Sequence, residues 1–276
     1  MSEQPYAKLS ALYTRFADEE FHGRSPLYEA IARGVAASRE ALSFLLTLPP
    51  NKWQPNLLLA SVRHVCGIAS DWSQFLEDLL ANVDAVRSIM LTHSTQTNEP
   101  GRCATLLPVF AQLPQPLALI EVGASAGLCL LPDFYAYDYG SRMVRPDETG
   151  TTPPVFSCSA NATTPLPSTM PRIVWRAGLD LNPLDAANQE QAEWLETLVW
   201  PEQTQRLANL QAALKIAAVR RPRIEKADLL GGGLACLCGE APKDATLVVF
   251  HTAVLVYVGE LSERQAFGER AMSLCD

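Results

Sequence analysis

The stretch Leu117-Ala-Leu-Ile-Glu-Val122, followed at once by Gly123-Ala-Ser-Ala-Gly127, constrains the fold more than any other part of the sequence. A short apolar run that stops in small residues reads as a buried strand entering a tight turn, and it predicts an apolar helix beyond the turn. The small residues of the turn let a ligand approach the backbone closely. Amides at the start of such a helix are placed to hold an anion. Further on, Arg172-Ile-Val-Trp175, Arg223-Ile-Glu225 and Thr246-Leu-Val-Val-Phe250 repeat the strand texture, with helical patterns over 187–199 and 202–219. Strands alternating with helices predict a parallel sheet covered on its faces, with strand order 3-2-1-4.

Before about Pro114 the texture differs. Ser25-Pro26 reads as an N-cap with proline at the first helical position. Leu27, Ile31, Val35, Leu42, Leu45 and Leu46 fall at helical spacing until Pro49-Pro50 stops the run. Pro55 opens a second helix that Gly67 ends, and Trp72, Phe75, Leu76, Leu79 and Leu80 mark a third. No period-2 alternation occurs here. The expected organisation is a helical subdomain over 1–112 and an α/β domain over 113–276, with an insertion or lid over 138–170 that holds at most a short hairpin.

Charge narrows the function classes. The 276 residues carry 22 Lys and Arg against 30 Asp and Glu, a net charge of -8. The one basic run, Arg220, Arg221, Arg223 and Lys226, is too short for phosphate-driven nucleic-acid binding. The longest apolar stretch, Leu247–Val258, is broken by His251 and falls short of the ~20 residues of a membrane span. The seven cysteines are irregularly spaced, and Cys236-x-Cys238 has no second pair or histidine to complete a zinc site. With no signal-peptide pattern at the N-terminus, the expectation is a reduced, cytoplasmic protein without a metal.

Three readings compete for the turn. The dinucleotide fingerprint G-x-G-x-x-G fails, because positions 125 and 128 hold Ser125 and Leu128. Gly123-Ala-Ser125-Ala-Gly127 matches the G-x-S-x-G elbow of α/β-hydrolases, and Ser125, Asp180 and His251 follow in that family's sequence order. The helical texture upstream argues against it, since a hydrolase needs several strands before its elbow. Third, Glu121-Val-Gly123-Ala-Ser-Ala-Gly127 resembles the first motif of class I S-adenosylmethionine-dependent methyltransferases. That resemblance implies cofactor contacts from Glu121, Gly123, Ala124, Ser125 and Gly127, with Glu121 holding the cationic methionine end. Arg176-Ala-Gly-Leu-Asp180-Leu181-Asn-Pro183 is similar to the second motif, which implies Asp180 on the ribose hydroxyls beside Leu181. Lys226-Ala-Asp228-Leu229 is similar to the place where the family keeps an acid near the adenine amino group. Asp180 lies well beyond the ~20-residue spacing usual in dinucleotide folds, so the 138–170 segment has to loop out. Phe250-His251-Thr252-Ala253 lacks the Asn-Pro-Pro-Tyr pattern of amino-group methylation.

Several stretches together resemble one bacterial family, domain of unknown function 2332. They are Gln96-Thr-Asn-Glu99 with Arg102, Glu121–Leu128, Trp175–Asp185, Trp200-Pro-Glu202 and Phe250–Leu255. The resemblance implies a helical N-terminal region before a Rossmann-like, methyltransferase-like parallel sheet. It implies no known reaction, and it leads us to expect a sequence shortened at its C-terminal end.

The expected function is therefore S-adenosylmethionine binding, with methyl transfer to a small molecule. The alternatives are the serine hydrolase and a degenerate fold that only binds. Asn98, Glu99 and Arg102 are candidate substrate contacts; alternatively, Thr97, Asn98 and Glu99 simply cap the helix running to about Leu113. His251 is a candidate general base, its ordinary pKa near 6.5 suiting proton transfer, or a hydrogen-bonded structural histidine. Trp200-Pro201-Glu202 reads as a helix start. With nothing after the fourth strand, Leu247–Val258 would be an apolar sheet edge able to pair with a second copy.

Overall fold

The computed structural model describes residues 3–96, 98–147 and 152–274. The protein divides into two compact units, Met1–Gln96 with Glu193–Leu207 and Thr97–Ala192 with Ala208–Asp276.

The first unit is helical. Its N-terminal elements are α1 (Glu3–Phe16), a π-helical segment Ala17–Phe21, α2 (Pro26–Ala37), α3 (Arg39–Leu45), α4 (Pro55–Cys66), α5 (Trp72–Ala81) and α6 (Val83–Thr92). Ser25 caps α2, its hydroxyl accepting the Tyr28 amide at 3.2 Å, with Pro26 at the first helical position. The amphipathic run from Leu27 to Leu46 is two helices. Ser38 takes extended angles and its hydroxyl caps α3 by accepting the Ala41 amide at 3.2 Å. The apolar period survives this break, because Ile31, Val35, Leu42 and Leu45 share one core with Leu57, Leu58, Leu79 and Met90. Trp200-Pro201-Glu202 does not start a helix at its proline; the helix after it begins at Thr204. Glu202 instead receives the Ser25 hydroxyl at 2.7 Å and the Leu27 amide at 3.0 Å, so a distant carboxylate satisfies the donors at the start of α2.

The second unit opens with α7 (Cys103–Phe110) and β1 (Leu117–Val122), followed by β2 (Ala136–Asp138), β3 (Met143–Val144), β4 (Val155–Ser157) and β5 (Ile173–Asp180). Then come α8 (Gln189–Thr197), α9 (Thr204–Arg220), β6 (Arg223–Lys226), α10 (Gly233–Glu240), β7 (Thr246–Phe250) and α11 (Leu261–Ser273). Two of the three boundaries between the units fall inside α8 and α9. The main sheet has the order β6-β5-β1-β7 with every pair parallel, the expected 3-2-1-4 arrangement. Glu121 lies opposite Gly178 on β5 and Phe250 on β7, and Asp180 lies opposite Lys226 on β6. The carboxyl ends of the four strands thus meet along one edge. β1 is buried along its whole length, as a central parallel strand covered on both faces must be. Ile120 and Val122 join one core with Leu179, Leu234, Leu237 and Phe267, while Leu117 and Leu119 join another with Phe110, Ala124 and Leu130. The architecture is mixed α/β with a helical N-terminal region. Among the described residues no helix is long and apolar enough to cross a membrane, and no strand precedes Leu117.

Three local expectations are corrected. No α-helix follows the glycine turn; single 3-10 turns, Leu128–Leu130 and Pro132–Phe134, lead into β2. Pro132 lacks the N–H that a continuing helix needs there. The 138–170 segment holds more than a hairpin, because β2 pairs antiparallel with β3 and parallel with β4 in a three-stranded sheet. Residues 148–151 of it lie outside the described residues. Finally, Leu247–Val258 is not one long edge. β7 ends at Phe250, and Val254–Tyr257 forms a 3-10 turn that folds Val254 onto Gly123.

Candidate functional site

The glycine turn takes its shape from three residues with positive φ: Gly123 at +77°, Ser125 at +50° and Gly127 at +71°. A Cβ on Gly123 would stand 2.5 Å from the Cβ of Val254, and one on Gly127 2.7 Å from Pro222. Both glycines are therefore required twice, for angle and for space. Ser125 is held in a conformation that costs an L-residue energy, so its neighbours must fix it.

They do so through the backbone amides of the turn. Gly123 and Ala124 donate to the Leu179 carbonyl at 2.8 and 3.1 Å, and Gly127 donates to the Ala124 carbonyl at 2.6 Å. Ser125 donates to Asp180 Oδ2 at 2.8 Å, and Ala126 donates to Asn98 Oδ1 at 3.2 Å. All five amides from 123 to 127 are engaged within the protein. The expected anion cradle is not formed, because no α-helix starts after the turn and backbone carbonyls and two side chains have taken its amides.

Asn98, Glu99 and Arg102 all reach this turn or the segments beside it. Asn98 grips both sides of it, donating from Nδ2 to the Ser125 hydroxyl at 2.6 Å while accepting from Ala126. Glu99 caps the 3-10 turn Pro100–Arg102 by accepting the Gly101 amide at 3.0 Å, and its carbonyl receives the Cys129 thiol at 3.6 Å. Arg102 donates from Nη1 to the Thr252 hydroxyl at 3.0 Å. Thr97 lies outside the described residues. Of the two described residues, Asn98 and Glu99, it is Glu99 that caps.

Glu121 sits beneath the turn with 2% of its surface exposed. Thr252 donates a hydrogen bond to its carboxyl group, while Oε2 is buried without a hydrogen-bond partner. Burial pushes this carboxyl well above the ordinary range, the Cys129 thiol and Asp180 add to the rise, and the Arg102 guanidinium opposes it. Cys129 is itself raised by its hydrogen bond with Cys103 and by burial.

Asp180 closes the end of β5. Its Oδ2 takes the Ser125 amide and its Oδ1 the Asn182 amide, each at 2.8 Å. Asp228 lies two residues beyond β6 and accepts the Leu230 amide at 2.9 Å. Leu229 beside it is buried, whereas Leu181 is exposed. His251 is exposed immediately after β7, its ring edge-on to Phe267 at 6.3 Å, and partial desolvation lowers its pKa. Glu121, Asp180, Asp228 and His251 therefore stand at or just beyond the carboxyl ends of the four main strands, where ligands of open parallel sheets bind.

Sequence reasoning alone does not single out Thr252, Cys129 or Arg176. Thr252 follows the same strand end that marks His251. Arg176 is a cation in the middle of β5, flanked by Trp175 and Ala177, which signals a buried partner. It forms a two-pronged ion pair with Asp133 at 2.7 and 2.8 Å and also donates to the Leu130 carbonyl at 2.8 Å. That pair fastens the two 3-10 turns after the glycines to β5.

A family model described as "Uncharacterized protein conserved in bacteria (DUF2332)" matches residues 10–273. No curated protein and no solved structure matches the sequence.

Proposed function

The protein belongs to this bacterial family, DUF2332, and from that premise we propose that it binds S-adenosylmethionine at the carboxyl edge of its main sheet and methylates a small molecule. The observation that carries the reading is the Glu121 carboxyl, enclosed at the central strand's end with one oxygen unpartnered. A buried acceptor of this kind suits a ligand cation, and the methionine end of this cofactor carries an ammonium and a sulfonium.

The other residues fit the same class of ligand. Each Asp180 oxygen already holds one amide and keeps a second lone pair, enough for the two ribose hydroxyls. Asp228 offers an acceptor for the adenine amino group, with buried Leu229 beside it. The engaged turn amides suit a cofactor without phosphates. Val254 covers Gly123, so the ligand is read against the carboxylates and not against that glycine. The cofactor supplies an activated methyl group. The protein's part is to align donor and acceptor, which alone can supply most of the rate. His251, neutral at pH 7, serves as a base for an acceptor that must lose a proton.

The substrate is a small molecule, and the setting we propose is cytoplasmic and reduced, in keeping with six described cysteines among which no disulfide forms. β7 pairs with β1 alone among the described residues. A homodimer through that edge is part of the proposal, and light scattering over a concentration series tests it, with a monomer throughout as the opposing result.

A serine hydrolase built on Ser125, Asp180 and His251 has one observation in its favour, the strained φ of Ser125. Against it, the Ser125 hydroxyl takes Asn98 and Asp180 takes two backbone amides. Calorimetric titration with S-adenosylhomocysteine, run beside a fluorophosphonate probe, separates the readings. The proposal expects saturable binding and no labelling. Labelling at Ser125 favours the hydrolase, and neither response at millimolar ligand leaves a degenerate fold.

A further inference from the structure

Glu121 is the one described carboxyl with a buried oxygen that lacks a partner. Along β1 its side chain shares a face with Leu117 and Leu119, whose core includes Phe110 and Leu130. Five groups approach it. Arg102 comes from the segment before α7, Cys129 and Tyr135 from the segment after the turn, Asp180 from β5, and Thr252 from the loop after β7. Arg102 donates into the Thr252 oxygen, which turns the Thr252 proton toward Glu121. One carboxyl oxygen is thus served and the other faces no donor, beside a second acid. A carboxylate left in this state is costly, whereas a protonated carboxylic acid costs far less.

We propose that Glu121 is a neutral acid in the ligand-free protein and gives up its proton when a cationic group binds against Oε2, so that ligand uptake releases one proton. The inference rests on the cofactor reading above and adds its regulation by pH. The chemistry balances simply: the carboxyl O–H breaks, the proton passes to buffer, and the carboxylate pairs with the ligand ammonium, which keeps its own protons. Affinity then rises with pH, up to tenfold per unit, until Glu121 is ionised without ligand. Burial, which raises this carboxyl's pKa, carries that rise past the ordinary carboxylate range before it levels off.

The test is calorimetric titration with S-adenosylhomocysteine at several pH values between about 5 and 8, each in two buffers of different ionisation enthalpy, together with infrared spectroscopy of the carbonyl region across the same range. The expected result is proton release on binding that grows toward one per ligand at the acid side of that range. A carboxylic-acid carbonyl band should be present without ligand and lost with it. Glu121→Gln, which keeps the shape of the neutral acid, should lack both signals. The infrared arm needs no variant and keeps the test decisive if that variant fails to fold. Binding with no buffer dependence and no acid band overturns this proposal and leaves the cofactor reading standing. No binding at millimolar ligand overturns both.

Discussion

The Ser125 amide donates to Asp180 Oδ2 at 2.8 Å, which ties the turn after β1 to the end of β5. Asp180 therefore has two duties. It holds a strained serine in place, and it stands where the neighbouring strand presents its carboxyl end. Asn98 performs the matching task from the other side, through the Ser125 hydroxyl and the Ala126 amide.

Asn98→Ala removes both of those bonds and leaves the Ala126 amide without its partner. The expected cost is about 1–3 kcal/mol of stability, measured by urea denaturation. Asn98→Asp should cost less than Asn98→Ala, because it keeps the acceptor for Ala126. Equal losses from the two would mean that the Ala126 bond contributes nothing.

Gly123→Ala should destabilise by about 2 kcal/mol or more, through its left-handed φ and the contact with Val254. Made in a Val254→Gly background, which removes the Cβ that would stand 2.5 Å away, the same substitution should lose the steric part and leave about 1–2 kcal/mol from the backbone angle, relative to Val254→Gly alone. Additive losses in the double variant would show that Val254 does not press on Gly123 in solution.

Arg176→Ala strands Asp133 in a mostly buried position and frees the 3-10 turns that follow the glycines. A loss of about 2–4 kcal/mol is expected, toward the range for breaking a buried pair. Arg176→Lys should recover only part of it, since an ammonium cannot match the two-pronged geometry. Full recovery by lysine would reduce the pair to simple charge.

Glu121→Gln tests the electrostatics without any ligand. The folded protein holds this proton above the ordinary carboxylate pKa, so wild-type stability falls as pH rises through that range toward the raised folded value. The glutamine variant has no such loss. Its advantage should be absent near pH 4 and grow with pH by up to about 1.4 kcal/mol per unit. An advantage that does not change with pH would mean that Glu121 ionises normally.

The main sheet is legible in the sequence because each of its strands is a compact apolar run, and its order follows from the alternation with helices. The strand ends point to Glu121, Asp180, Asp228 and His251 for the same reason. What escapes reading depends on distant partners. Ser38 breaks a helix without breaking its apolar period, and Glu202 caps a helix far away in sequence. The helix expected after Gly127 is missing because Pro132 and the Arg176–Asp133 pair set a different path. The turn amides could not be read as engaged, since Asn98 and Asp180 reach them from remote segments.

The proposed site, in which the turn serves a cofactor without phosphates beside carboxylates at the sheet edge, should discriminate between two adenosine-containing ligands. Paired titrations of the wild-type protein with S-adenosylhomocysteine and with NAD, at one ionic strength and pH, put this to the test. We expect saturable binding of S-adenosylhomocysteine, weakened about tenfold or more by Asp180→Asn, and no binding of NAD. Binding of NAD without binding of S-adenosylhomocysteine would contradict it.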